Sequence, residues 1–175
     1  TFQQINTAKS GEWKIIKTYV TDPESDTVLI EVSFETKRPE LNLYVYFDPS
    51  LGNSGMGDSA SSVIFSDCGP CPAQKLRATD GSSGIFSDLY FTSQLVEIHN
   101  GYLGEDALNQ LREHGRIVRT SNDIAGGNVV QVAKIAQPQK FTTFLLLGPQ
   151  GRGAEPFKAF ARGFPVTKTA YEKGW

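Results

Sequence analysis

The sequence predicts a mostly β-strand domain with one short helix and a helical stretch at its end. Three observations carry this. Period-two alternation of apolar and polar residues dominates the chain, turn signals such as Asp22-Pro23 and Asp48-Pro49 cut it into strand-length pieces, and helical spacing occurs in only two places. At 175 residues the chain is long enough for one sizeable core, or for part of a larger sandwich.

The first strand is Trp13-Lys14-Ile15-Ile16-Lys17-Thr18-Tyr19-Val20, closed by Asp22-Pro23. Next, Val28, Ile30, Val32 and Phe34 share one face, with Leu29, Glu31 and Ser33 on the other. The polar stretch Lys37-Arg38-Pro39-Glu40 leads to Leu41, Leu43, Val45 and Phe47, alternating with Asn42, Tyr44 and Tyr46. These two runs are expected to pair antiparallel, each burying one face. Further strands are expected at 62–66, 85–87, 89–91, 95–98, 117–119, 129–135 and 141–147. The stretch 104–114 reads as a helix, with Glu105 and Asp106 where a helix start favours negative charge and Leu108 and Leu111 on its apolar face. Near the end Phe157, Phe160, Ala161 and Phe164 fall at helical spacing, with Pro156 tolerated in the first turn. Gly163 and Pro165 break that pattern, and another helical turn or two reaches Tyr171 and Trp175.

Composition narrows the function. A net charge of −2, from 17 basic and 19 acidic residues, with Lys and Arg scattered, argues against a nucleic-acid partner. No run approaches the roughly 18 apolar residues of a membrane helix, so no membrane partner is expected. Two cysteines do not make a disulfide scaffold, and compartment stays open on these grounds.

Three motifs invite chemistry. Cys68-Gly69-Pro70-Cys71 has the form of a redox dithiol, which works when the first thiol caps a helix. Here Pro72 and Ala73-Gln74-Lys75-Leu76 follow, with no βαβ context, so a local disulfide between Cys68 and Cys71, or two free thiols in a surface loop, is the expectation. A zinc site would need two further ligands, and His99 and His114 lack that spacing. The strand at 141–147 followed by Gly148-Pro149-Gln150-Gly151-Arg152-Gly153 imitates a phosphate loop, yet matches neither nucleotide fingerprint, and Glu155 would repel phosphate. In Asp48-Pro49-Ser50-Leu51-Gly52-Asn53-Ser54-Gly55-Met56-Gly57-Asp58, the side chains Asp48, Asn53 and Asp58 are candidate calcium ligands, although such residues also populate bare turns. A loop docking against another surface is the preferred reading. No catalytic pair stands out among the acids, and neither histidine sits in a recognisable nucleophile setting.

Lys17-Thr18-Tyr19-Val20-Thr21-Asp22-Pro23 and the run from Tyr44 through Asp58, followed in order by Asn100-Gly101-Tyr102-Leu103-Gly104, Gly127-Asn128-Val129-Val130-Gln131, Ala161-Arg162-Gly163-Phe164 and Tyr171-Glu172-Lys173-Gly174-Trp175, resemble one family. It is the N-terminal domain of prokaryotic glucoamylases and glucodextranases, in glycoside hydrolase family fifteen. The resemblance implies a large antiparallel β-sandwich, a super-sandwich of the galactose-mutarotase-like kind, over 1–153 and lacking its first strands. It implies a helical linker at 154–175 toward an (α/α)6 catalytic barrel that inverts α-glucosidic bonds with two carboxylates. Neither carboxylate can be placed in this chain, so its expected role is non-catalytic: to dock on and orient that barrel. The α-glucan substrate is met through the parent enzyme, which would be secreted or periplasmic, with a cytoplasmic setting as the alternative. Phe157, Phe160, Tyr171 and Trp175, with Asp48, Asn53 and Asp58, are the candidate docking residues. No cofactor is expected, calcium in the parent enzyme staying open. The competing readings are a carbohydrate-binding module, with Tyr44 and Tyr46 as stacking residues, and a thiol oxidoreductase built on Cys68 and Cys71.

Overall fold

A computed structural model describes residues 1–53, 55–64, 74–104, 107–121, 123–149 and 155–174. Cys68, Cys71 and Trp175 lie outside these residues, as do residues 150–153 of the glycine-rich stretch. In chain order the elements are β1 (Phe2–Thr7), β2 (Trp13–Thr21), β3 (Thr27–Thr36), β4 (Tyr44–Phe47), a 3-10 turn (Leu51–Asn53), β5 (Asp58–Ile64), β6 (Gln74–Asp80) and β7 (Ile85–Phe91). They continue with β8 (Leu95–Tyr102), α1 (Ala107–His114), β9 (Ile124–Gly127), β10 (Val129–Ile135), β11 (Lys140–Pro149) and α2 (Glu155–Lys173).

The described strands form two antiparallel sheets, one of eight strands in the order β1-β2-β3-β11-β7-β6-β5-β9 and one of three in the order β4-β10-β8. The fold is therefore all-β, as predicted. The larger sheet is covered on both faces, which explains why its central strands are apolar on both. From β11, Phe141 and Leu145 point toward the small sheet and meet Leu89, Phe91, Ala133 and Ile135. The alternate residues Phe144 and Leu146 point the other way and join Val20, Leu29, Phe86 and Tyr90 beneath α2. On the far side of the small sheet, α1 lays Ala107 and Leu111 over Val132 and Tyr44.

The expected pairing of β3 with β4 is overturned. β3 pairs with β2 and β11, whereas β4 pairs with β10 in the other sheet. The cause is that β3 buries both faces, Leu29 under α2 and Val32 in the sandwich core, so it occupies an interior position with both edges taken. The strand expected at 117–119 is also absent. There the backbone N–H groups of Val118 and Arg119 donate to the side-chain carbonyl of Gln110 on α1, at 2.9 and 2.8 Å, in place of a neighbouring strand. The pieces expected at 85–87 and 89–91 are one strand, β7.

α2 breaks where its sequence does. Gly163 sits at φ 73°, ψ 165°, a conformation that L residues avoid, and Pro165 then falls in the first turn of the second segment. The helix lies across β2, β3 and β11. Arg162 clamps it down by donating to Asp22 and Glu24 in the turn between β2 and β3.

Candidate functional site

At one end of the sandwich the segment after β4 is held by an internal set of contacts. Asp48 is exposed, and Ser50 then takes φ 43°, one of only two non-glycine residues with positive φ among the described residues. Leu51 turns inward onto Ala60, Ala78 and Val129. Gly52 lies at φ 63°, and a Cβ there would come within 2.6 Å of Asp80 Oδ2, so both conformation and space require glycine. Asp58, opening β5, is fully buried, and its Oδ2 accepts the backbone N–H of Leu51 at 3.0 Å. Among the described residues its Oδ1 has no hydrogen-bond partner. Burial raises the Asp58 pKa, and the neighbouring charges of Asp80 and Asp48 push it the same way.

Asp80 pairs with Asp58 across the two strands but behaves oppositely. The hydroxyl of Ser83 donates to it at 2.6 Å, the hydroxyl of Ser82 at 2.7 Å and the N–H of Ser82 at 2.8 Å, and together these lower its pKa to about 2. Asp80 stands outside the recognisable motifs of the sequence. The available signal was the turn sequence Asp80-Gly81-Ser82-Ser83, in which a short acid accepts from residues two and three positions on.

The other wall comes from the end of β8 and the approach to β10. Leu103 N–H donates to the carbonyl of Asn128 at 2.8 Å, and Tyr102 OH donates to the carbonyl of Ala125 at 2.8 Å. The Tyr102 ring lies against Gly127, where a Cβ would stand 2.4 Å from it. Gly55, from the first wall, approaches the Asn128 side chain so closely that a Cβ would be 3.1 Å from Oδ1. Beneath them Gln131 Nε2 donates to Asn100 Oδ1 at 2.7 Å and to the carbonyl of Ser61 at 2.9 Å, tying β8, β10 and β5 together. Three stretches far apart in sequence thus meet at one corner: 48–58, 100–104 and 127–131.

The remaining candidates fall elsewhere. Phe157, Phe160 and Tyr171 pack against the core under α2, with Phe160 5.2 Å from the ring of Phe144 and Phe157 edge-on to Tyr90 at 5.9 Å. Their apolar faces are thus used inside this chain. The outward side of α2 instead presents Pro165, Val166, Thr169, Ala170 and Lys173. The side chain of Asn53 lies outside the described residues. Among the described residues, no group of three or more His, Cys, Asp or Glu side chains is arranged to hold a metal ion. Tyr44 packs in one cluster with Leu111 and donates its hydroxyl to Glu97 at 3.2 Å, while Tyr46 on the same strand is exposed. His99 is buried and bonds the Arg119 carbonyl through Nδ1 at 2.7 Å, while His114 is exposed at the end of α1. An apolar cleft of about 360 Å³ opens between the sheets beside β4, lined by Ile15, Tyr19, Ile30, Val45, Phe47 and Leu145.

The sequence matches the family model for glucodextranase, domain N, over residues 1–175. The chain belongs to this family. Domain N also superimposes on a bacterial glucoamylase whose crystal structure was determined in complex with acarbose, with a TM-score of 0.85 at 20% sequence identity. The match covers 99% of this chain and 26% of the glucoamylase chain, so domain N spans about a quarter of that protein. No curated protein matches the sequence. No described helix is long and apolar enough to cross a membrane.

Proposed function

We propose that this domain N is the non-catalytic β-sandwich portion of an exo-acting α-glucan hydrolase of the glucoamylase or glucodextranase kind. Its role is to dock on and orient an (α/α)6 catalytic barrel carried by the same polypeptide. The observation that carries this reading is the family match over the whole chain. The acids of the loop corner agree with it: Asp58 is buried and Asp80 is capped by two serines, which leaves neither disposed around a water in the manner of a hydrolytic pair. In this reading α2 has two jobs, covering the sheet and leading toward the barrel. The cleft beside β4 would be closed by further strands of the parent protein. Secretion or export to the periplasm belongs to the same proposal.

The reading is tested on the coding sequence beyond Trp175 and its product. A following barrel with paired carboxylates, and release of glucose units from α-glucan chain ends with inversion by the whole polypeptide, is the expected result. An unrelated downstream sequence, or a stop codon directly after Trp175, would remove it.

A further inference from the structure

We propose that the loop corner, and not the aromatic face of α2, is the surface on which domain N meets the catalytic portion of its own polypeptide. This rests on the function proposed above and names the contact within it.

Three observations lead there. Met56 is 69% exposed and Leu103 is 52% exposed, on either side of Asn128, and Tyr102 beside them is 40% exposed. Apolar side chains grouped at one corner of a domain fit a contact surface better than a solvated one. Second, the loop is shaped from below at a cost: Ser50 adopts φ 43°, and Gly52 and Gly55 fill places where a side chain would strike Asp80 or Asn128. Backbone strain of this kind persists where a particular outward shape is used. Third, the charge within these stretches is acidic, with Arg119 flanking them beside Gly104. None of the chain's 17 Lys and Arg residues falls in 48–58, 100–104 or 123–131, while Asp48 and Asp123 are exposed there.

The occupant that fits is an apolar surface rimmed by Arg or Lys, which an acidic rim attracts and orients. The observation that domain N spans 26% of a glucoamylase chain directs this to the rest of the same polypeptide rather than to a free partner. The outward side of α2 fits less well, because Lys168 and Lys173 alternate there with Glu172.

The test is calorimetry of the full-length polypeptide. One coupled transition is expected for the unaltered protein. The pair Met56→Glu and Leu103→Glu should split it in two, and Val166→Glu on α2 should leave it whole. The milder pair Met56→Ala and Leu103→Ala, with an unchanged far-UV spectrum, should lower the coupled transition by a few degrees. Asp48→Lys should lower it at low salt and less at about 0.5 M, because added salt screens the repulsion. If Val166→Glu splits the transition while the corner variants leave it whole, the surface is wrong and the docking function stands. A transition insensitive to every variant also removes the surface. Two independent transitions in the unaltered protein remove both the surface and the docking function. If the glutamate pair converts a dimer to a monomer by gel filtration without altering the calorimetry, the occupant is a second copy and the proposal is overturned.

Discussion

Arg77 grips Asp88 through two parallel bonds, Nε to Oδ1 at 2.6 Å and Nη2 to Oδ2 at 2.7 Å, on the face of the large sheet that α2 covers. Lys75 adds a third bond at 3.0 Å and lies 5.3 Å from the Tyr90 ring centroid, and Tyr90 OH donates to the same carboxylate at 3.0 Å. Asp88 and Lys75 are both buried, so the set depends on being complete. Asp88→Ala removes the buried carboxylate that Lys75, Arg77 and Tyr90 share and is expected to cost about 3–5 kcal/mol. The double variant Lys75→Met with Asp88→Leu removes both buried charges and should cost clearly less. Urea denaturation of the two variants checks the order, and equal losses would show that the charges do not depend on each other.

Phe160 is expected to matter through packing. Its ring meets Phe144 on the sheet, so Phe160→Ala should destabilise by about 2–3 kcal/mol, below the roughly 3–5 kcal/mol of fully buried aromatics because the residue is only half-buried. Val166→Ala, on the exposed side of the same helix, should stay within about 0.5 kcal/mol. The pair of denaturation midpoints reports whether α2 is a layer of the fold. Similar small losses at both positions would contradict that.

Gly52→Ala should destabilise by about 1–3 kcal/mol, because φ 63° and the nearby Asp80 oxygen both oppose a methyl group. Gly11, also at positive φ but with open space around it, should lose less on the same change. Thermal melts of both variants separate the conformational part of the cost from the steric part.

Asp58 and Asp80 are expected to give stability opposite dependences on pH. Asp80 is held near pKa 2, below its unfolded value, so its contribution is complete above the ordinary carboxylate range and is lost as pH falls toward 2. Asp58 is raised, so the native state binds its proton more readily, and the penalty of its buried charge appears as pH rises through the raised value. Asp58→Asn should therefore raise Tm near neutral pH and lose that advantage in acid, while Asp80→Asn should lower Tm near neutral pH and matter less near pH 2. Melting curves across that range check both signs. A gain for Asp58→Asn that persists unchanged at pH 2 would contradict the assignment.

The strand content was legible because it depends on patterns within short windows, alternation at Ile30-Glu31-Val32-Ser33-Phe34 and short apolar runs at Val129–Ile135 and along β11. The break in α2 was legible too, since Gly163 and Pro165 act through their own backbone restrictions. Pairing was not. The polar link at 37–40 looks like a hairpin connection, and only the burial of both faces of β3, a property of its neighbours, sends β4 to the other sheet. β1, β6 and β9 escaped because Phe2–Thr7 is mostly polar, Gln74–Asp80 has only Leu76 and Ala78 as apolar residues, and Ile124–Gly127 is half glycine, so none carries the apolar pattern. At the corner, the family stretches were readable one by one. Their meeting through Gln131 and Asn100, or Leu103 and Asn128, depends on register between distant strands. Phe157, Phe160 and Tyr171 are covered by residues from the far end of the chain, such as Val20 and Leu29, which no local window reveals.

The most direct test of domain N as a supporting, non-catalytic part is α-glucan hydrolysis by three polypeptides: residues 1–175, the full-length protein, and the full-length protein lacking residues 1–175. Turnover is followed before and after heating. The expected result is no release of glucose by residues 1–175, turnover by the full-length protein, and a shortened activity half-life when the domain is removed. Hydrolysis by residues 1–175 alone, or an unchanged turnover and half-life without them, would contradict the account.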